Sequence, residues 1–392
     1  MIHAAITVVG TLLILLSLPG SLELGLLTVA GTLPARRRPR PGTTRGLSIR
    51  KLAIVIPAHD EALDVARTIH SLSLCTQPTD SSIAIVLIAD NCSDDTAQVA
   101  ERAGAHVIER FDETLRGKGF ALQYGFGRLR EESFEAFLVI DADTIVEPNL
   151  LTEVIGLLEA GADGVQTRYG VLNPEASIRT RLMNTALMAI NVLRPRGRDR
   201  LGLSTGILGN GWAVTSATLA AVPYDAHSVV EDLEYGLRIV RSGRRIAFAD
   251  RTTVRGLIPA SGRGVETQRL RWEGGRLRMI RQNVPQLARE ILGGRLALIE
   301  PLLDLLLLPL AFHVVLISGA AAIPFTPARI YALIAFVLLG FHVCASIVIG
   351  GGDWRDFTAL LAAPVYALWK LKIAAKIFKA ASFETPWIRT ER

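Results

Sequence analysis

The sequence predicts an α/β domain with a mainly parallel sheet, set between apolar segments that enter a membrane. Short apolar runs at residues 52–56, 83–88, 105–109 and 137–140 alternate with stretches of helical character, the pattern of parallel strands joined by right-handed crossovers. Carboxylates stand directly after three of these runs, at Asp60, Asp90 and the pair Asp141 and Asp143, where open α/β sheets bind ligands. The 392-residue chain is 50% hydrophobic with a mean hydropathy of +0.34, and its apolar residues gather at the two ends.

Residues 2–33 are almost uncharged, Glu23 excepted, with Pro19-Gly20 near the middle. A bilayer core takes about 20 apolar residues, so this run makes one tilted or kinked crossing and is too short for a hairpin. No basic leader precedes it, which favours a retained anchor over a cleaved signal. Arg36, Arg37, Arg38 and Arg40 follow, and the positive-inside rule then puts residues 35–50 in the cytosol and the N-terminus outside.

Near the other end, residues 305–323 and 330–349 read as a membrane hairpin around Pro324 and Pro327. Residues 296–304 carry Glu300 and Asp304 among leucines, an interfacial stretch or a channel-facing entry whose acids otherwise reach headgroup water. The apolar run 357–369 is short and is followed by Lys370, Lys372, Lys376 and Lys379, which favours an interfacial amphipathic helix over a fourth crossing. The expected division is an anchor at 1–34, a basic linker at 35–50, a cytosolic domain at 51–294, a hairpin at 295–356 and an interfacial helix with a basic tail at 357–392.

The net charge of +6 is carried by arginines that flank apolar segments or lie within the folded middle, which points to membrane surface and anionic substrate rather than nucleic acid. Cys75, Cys92 and Cys344 have no paired spacing, so neither a disulfide framework nor a zinc site is indicated.

In the middle, the run at 52–56 stops at Pro57 and hands over to a turn and a helix start at 58–62. After 83–88, Ser93 is placed to cap a helix whose first turn carries Asp94 and Asp95. Neither a Gly-x-Gly-x-x-Gly after a strand nor a Gly-x-x-x-x-Gly-Lys-Ser/Thr is present, so dinucleotide and P-loop chemistry are unsupported. Arg116-Gly117-Lys118-Gly119 instead offers two cations at a helix start, where phosphate gains from the dipole. Asp141-Ala142-Asp143 supplies two hard oxygen ligands suited to a divalent cation that carries a diphosphate.

In this order, Pro57-Ala58-His59-Asp60-Glu61, the segment 90–96, the 116–119 loop, Asp141-Ala142-Asp143, Val230-Glu231-Asp232 and Gln268-Arg269-Leu270-Arg271-Trp272 resemble the inverting family 2 glycosyltransferases. Members of that family that are integrated in membranes include cellulose synthase, hyaluronan synthase and related N-acetylglucosaminyltransferases. The similarity covers about residues 50–290, and Val165-Gln166-Thr167 looks like the strand that follows the metal motif. The resemblance implies a GT-A type domain that uses a nucleotide-sugar, with a UDP-sugar as donor, and a bacterial inner membrane location with the catalytic domain cytoplasmic. Carried over residue by residue, Asp60 and Asp90 contact the uridine, Lys118 lies near the pyrophosphate, and Asp143 ligates Mg2+ or Mn2+, with Asp141 binding the nucleotide-sugar close to the ribose or the metal. Asp232 is the general base, beside Glu231 at the acceptor, and Gln268, Arg271 and Trp272 lie at the acceptor and diphosphate end. Val-Glu-Asp stands where the synthases commonly have Thr-Glu-Asp, and Gly209-Asn210-Gly211-Trp212 where they often carry a Cys- or Ser-containing acceptor loop.

Read physically, Glu231 and Asp232 begin a helix with Leu233, Leu237 and Val240 at helical spacing, and its dipole should keep Asp232 ionised. Residues 264–292 read as helical; their arginines 269, 276, 278 and 281 suit a solvated or headgroup-facing surface, while Arg271 beside Trp272 suits diphosphate and a sugar ring. Residues 194–200 read as an exposed basic loop near the membrane. The leading function is transfer to a growing polysaccharide or oligosaccharide. Transfer of one sugar to a ceramide-like or polyprenyl lipid is the alternative, and a non-catalytic nucleotide-sugar-binding subunit of an export complex a third.

Overall fold

A computed structural model describes residues 1–34, 48–259, 263–307 and 309–382. Most of the expected basic linker lies outside the described residues. The chain forms two compact units that do not follow its order: one comprises Met1–Pro34, Ser177–Leu201 and Gly262–Thr385, the other chiefly Ala35–Ala176 and Gly202–Ser261.

The second unit is built on one eight-stranded sheet. Its strands are β1 (Lys51–Ala58), β2 (Ser82–Asp90), β3 (His106–Arg110), β4 (Ala136–Val139), β5 (Ile145–Val146), β6 (Gly164–Val171), β7 (Trp212–Thr215) and β8 (Ile246–Gly256). The spatial order is β3-β2-β1-β4-β7-β6-β8-β5. The pairs β1/β2, β1/β4, β2/β3 and β6/β8 are parallel, and β4/β7, β6/β7 and β5/β8 are antiparallel. The mainly parallel sheet is thus present, with an antiparallel β7 wedged into its centre. Because β7 runs against β4, pairing Trp212 with Val139, the loop before β7 arrives at the edge where β1, β2 and β4 end.

Both faces of the sheet are covered, and alternation along the strands decides which residue goes where. Ile54, Ile56, Leu87, Ala89, Leu138 and Ile140 pack on one face with residues of the helices Val65–Ser73, Thr96–Arg102 and Leu150–Glu159. Ala53, Val55, Val86, Ile88 and Val139 face the other way, toward Leu122 and Phe126 of the helix Lys118–Leu129 and Tyr235 and Ile239 of the helix Glu231–Arg241.

The first unit is helical. The helix Ile2–Thr32 is continuous through Pro19. Helices Ile2–Thr32, Thr326–Gly350 and Trp354–Ala374 are each long and apolar enough to cross a membrane, and the bent pair Leu296–Leu306 and Leu310–Ala322 counts as a further span if taken together. The first arm of the expected hairpin therefore differs from the single helix anticipated at 305–323. The helix Leu310–Ala322 has 13 residues, shorter than a bilayer core requires, and is preceded by a separate helix, Ile299–Leu306. At the C-terminal end, helical residues extend on both sides of the apolar run 357–369, so length no longer argues for the interfacial placement.

Residues 194–200 are not an exposed loop. They lie in the helix Arg194–Leu201, which continues Ile178–Met188 through a π-turn at Ala189–Leu193. Pro195 explains the turn, since its ring and missing N–H are incompatible with regular α bonding at that point. Arg196 donates to the Gly31 carbonyl at 2.7 Å and Arg200 to the Leu33 carbonyl at 3.4 Å, so these cations meet the C-terminal end of the first helix. Arg194 and Arg198 are buried and bind Asp304, and Arg198 also binds Glu300 and stands 3.6 Å from the fully buried Glu23. Glu300 and Asp304 thus meet guanidinium groups instead of headgroup water. Buried charges require partners, and three acids in apolar segments draw the arginines inward.

Candidate active site

The carboxyl edge of β1, β2 and β4 gathers the acids expected at the strand ends. Asp60 follows β1 at a positive φ of 54° and Asn91 follows β2 at 53°, two side-chain-bearing residues in the left-handed region on adjacent strands. The Asp60 carboxylate accepts from the Ser93 amide at 2.6 Å, the Ser93 hydroxyl at 3.2 Å and the Asp94 amide at 3.3 Å. Burial opposes its ionisation, but the Ser93 amide, the His59 side chain, the Ser93 hydroxyl and the Asp94 amide together hold it below the usual range. Ser93 is therefore not the expected cap. The helix starts at Thr96 with Asp95 at its N-cap and no side-chain cap bond, so neither Asp94 nor Asp95 stands in its first turn; Asp94 accepts from the Thr96 amide at 3.0 Å.

Asp90 is only 5% exposed, and its Oδ1 receives Arg110 at 2.5 Å and Asn91 at 3.1 Å. Arg110 also donates to the Leu115 carbonyl at 2.7 Å, which ties the end of β2 to the loop that carries Arg116. The first duty of Asp90 is to hold a buried arginine, leaving its other oxygen for a ligand.

Lys118 is the centre of the cluster. Its Nζ donates to Asp141 Oδ1 at 2.5 Å and to the Gly209 carbonyl at 2.6 Å. Gly117 precedes it at a φ of 119°, and a Cβ on Gly119 would lie 2.3 Å from the Ala226 carbonyl oxygen. Both glycines are thus required by backbone geometry. Burial works against the lysine charge, but Asp141, Glu231 and Asp232 outweigh it and hold the ammonium pKa above its ordinary value.

Asp232 lies in the first turn of the helix Glu231–Arg241, as the periodicity predicts. A Cβ built on Gly209 would come within 3.2 Å of Asp232 Oδ2, so the Gly209 carbonyl bound by Lys118 and the Asp232 carboxylate belong to one cluster. Burial pushes the Asp232 carboxyl above the usual aspartate range; the Leu233 amide and Lys118 oppose the rise, and Asp141 adds to it. Desolvation thus opposes the ionisation that the start of the helix favours.

The loop before β7 holds the parts together through two buried amides. Asn210 accepts from the Asp141 amide at 3.1 Å and donates to the Thr144 hydroxyl at 2.8 Å. Gln166 donates to the Asn210 carbonyl at 2.8 Å and accepts from the Leu208 amide at 2.9 Å. Thr68 donates to the Ala142 carbonyl at 2.7 Å, so the Asp141–Asp143 turn is anchored from both sides. Residues 209–212 and 165–167 stand out in the sequence only through resemblance. A pattern of isolated polar residues gives no direct sign that Asn210 and Gln166 are fully buried. Trp212 is core, 1% exposed and stacked on Tyr224.

The fit of a divalent cation rests on donor chemistry. Asp141, whose Oδ1 holds Lys118, and the buried Asp143 carry hard carboxylate oxygens one residue apart, a donor type suited to an ion that takes its other ligands from a diphosphate and water. Asp60, Cys92 and Asp94 are the one group of three potential ligands that converges among the described residues, yet the two carboxylates there are already occupied by loop hydrogen bonds. Burial pushes the Cys92 thiol up, which disfavours the thiolate a metal would need.

Gln268, Arg271 and Trp272 lie half-buried on the helix Arg263–Leu292 of the helical unit. The guanidinium over the Trp272 ring belongs to Arg269, 5.6 Å from the centroid, and not to Arg271. Residues three apart share a helix face and adjacent ones do not, which places Arg269 rather than Arg271 beside the indole.

A sheet with acids, a lysine and a glycine-rich loop converging at its carboxyl edge defines the nucleotide-binding α/β class to which GT-A glycosyltransferases belong. The description Glycosyltransferase like family 2 matches residues 50–275, and the chain belongs to that family. A probable glycosyltransferase of Bacillus subtilis, YdaM, is 25% identical over 234 residues, covering 57% of this chain and 55% of the relative. A poly-beta-1,6-N-acetyl-D-glucosamine synthase of Staphylococcus epidermidis is 24% identical over 231 residues, covering 58% and 55%. The chain thus spans about half the length of these curated relatives. A solved mannosyltransferase of Pyrobaculum calidifontis, in complex with GDP-Man and Mn2+, aligns over 96% of this chain and 97% of its own with a TM-score of 0.53 at 15% identity, a likeness of fold.

Proposed function

We propose that this protein transfers a sugar from a nucleotide diphosphate sugar, with UDP-sugars as the donor class, to a growing glycan at a membrane, inverting the anomeric centre. The observation that carries the reading is the convergence of Asp141, Lys118, the Gly209 carbonyl and Asp232 at one edge of the sheet. Asp232 takes the proton of the acceptor hydroxyl as its oxygen bonds to the anomeric carbon, and the bond from that carbon to the diphosphate oxygen breaks with its electron pair leaving on the nucleoside diphosphate. A single carboxylate base acting opposite the leaving group gives inversion. Lys118, positively charged and held at the diphosphate end, stabilises the departing charge without a general acid.

Mg2+ or Mn2+ held by Asp143, with Asp141 beside it, would supply further neutralisation of the diphosphate. Asp60 and the remaining oxygen of Asp90 serve the uridine end. Glu231, Gln268, Arg271 and Trp272 serve the acceptor and the outer diphosphate. The catalytic unit faces the cytoplasm of a bacterial inner membrane, with the N-terminus outside.

Transfer of a single sugar to a lipid is a second reading. It is favoured by 28% identity over 127 residues to an undecaprenyl-phosphate 4-deoxy-4-formamido-L-arabinose transferase of Yersinia enterocolitica, which covers 30% of this chain and 37% of that one. Purified protein in detergent with Mg2+ or Mn2+ and a panel of UDP- and GDP-sugars separates the readings. Long product supports the first and a one-sugar lipid the second, while no turnover of any donor leaves only a nucleotide-sugar-binding subunit.

A further inference from the structure

We propose that two buried ion clusters clamp the helix Arg263–Leu292 just beyond Trp272, and that Glu273 and Asp304 are positioning residues for the segment Gln268–Trp272. The inference rests on the reading of that segment as the acceptor and diphosphate end. Every residue it uses lies in the helical unit.

The first cluster begins at the residue after Trp272. Glu273 and Lys370 are 7% and 5% exposed, and Lys370 Nζ lies 2.5 Å from Glu273 Oε1 in a buried ion pair. Lys370 is 5.9 Å from the ring centroids of both Phe312 and Tyr366. Arg269 stands 4.0 Å from Glu273 and over the Trp272 ring, so the indole, the guanidinium, the carboxylate and the ammonium form one chain of contacts. One helical turn further on, Arg276 reaches the Asp304 carbonyl and, at 3.5 Å, its carboxylate. Asp304 also receives Arg194, and Arg198 at 2.5 Å, and Arg198 extends the cluster to Glu300 and Glu23.

These groups are poor devices for stability alone. Both oxygens of Glu23, Oε2 of Glu273, and the Nε atoms of Arg194 and Arg276 are buried without a hydrogen-bond partner among the described residues. Buried charges with unmade hydrogen bonds are commonly matched or surpassed in stability by apolar residues of similar volume. The best-attested use of buried ionic groups is to fix one register between helices, and that use is the one assigned to these clusters. Both clusters apply that constraint within one turn of Trp272.

The test uses the full chain in lipid nanodiscs, as wild type and as E273Q, K370M, D304N and the reversed pair E273K/K370E. Hydrogen exchange is followed over residues 263–276 and over β1 and β4, UDP affinity by titration, and sugar transfer where the wild type supports it. In E273Q, K370M and D304N, exchange over 263–276 should quicken at least tenfold while β1 and β4 keep their rates. UDP affinity should stay within about twofold, kcat should fall at least tenfold, and the reversed pair should restore both readouts to within about threefold. Wild-type exchange in the single variants, an equal rise in β1 and β4, or no rescue by the reversed pair would overturn the clamp. A wild type that transfers no sugar sinks the proposed function instead, and the exchange rates still decide the clamp.

Discussion

Asp232 and Lys118 carry the proposed chemistry, and each can be tested alone. Asp232→Asn keeps the shape of the side chain but removes the base, so transfer should fall by at least about a hundredfold, the low end of typical general-base contributions, while UDP affinity is unchanged. A parallel loss of UDP affinity, read by titration, would contradict the assignment. The pH profile offers a second check. Burial raises the Asp232 carboxyl, and a base works only when ionised, so activity present at higher pH is lost as pH falls through this raised value. The acid limb of kcat/KM should therefore lie above the position expected for an exposed aspartate, and a limb at or below it would argue for another base. These residues were legible because chemistry at a strand end or helix start has a local signature. The use of Asp90 for Arg110, of Ser93 for Asp60 and of Arg269 for Trp272 was not, since each depends on which side chain the backbone turns inward.

At the scale of elements, the parallel half of the sheet was readable from short apolar runs separated by helical stretches, and the observed β1, β2, β3 and β4 enclose or overlap those runs. Strand β7 was not readable as an antiparallel insertion, because its four residues are too few to show a period. Yet β7 is what brings Gly209 and Asn210 to the acids. The start of the Lys118 helix depends on a comparably close approach. A Cβ at Gly119 would meet the Ala226 carbonyl at 2.3 Å, and backbone cannot yield as a flexible side chain does. Gly119→Ala should cost on the order of 1–3 kcal/mol, the usual range for overpacking. It should also lower kcat by shifting Lys118. Chemical denaturation of the purified protein checks the first effect, and an unchanged midpoint would mean that the loop around Ala226 moves aside freely.

The largest departure from the linear reading concerns how the chain is partitioned. A contiguous soluble domain at 51–294 was the natural expectation, because hydropathy separates apolar ends from a polar middle. Residues Ser177–Leu201 nevertheless belong with the helical unit, as do those from Gly262 onward. Their polar character misleads, since the arginines at 194 and 198 are buried against acids contributed by apolar helices, and charge pairing between distant segments leaves no trace in a sliding window. A consequence follows for any excised fragment. Residues 48–292 expressed alone carry Arg194, Arg198 and Arg276 without Glu23, Glu300 and Asp304, together with the apolar faces those helices bury. Such a fragment should aggregate. The fragment 48–259 with 177–201 replaced by a flexible Gly/Ser linker removes that surface and keeps all eight strands, Lys118, Asp141 and Asp232. It should remain soluble by size-exclusion chromatography and bind UDP within about tenfold of the intact protein. If the first fragment proves the more soluble of the two, the helices at 177–201 contribute to the folding of the sheet, and the division into two units is not the one that governs stability.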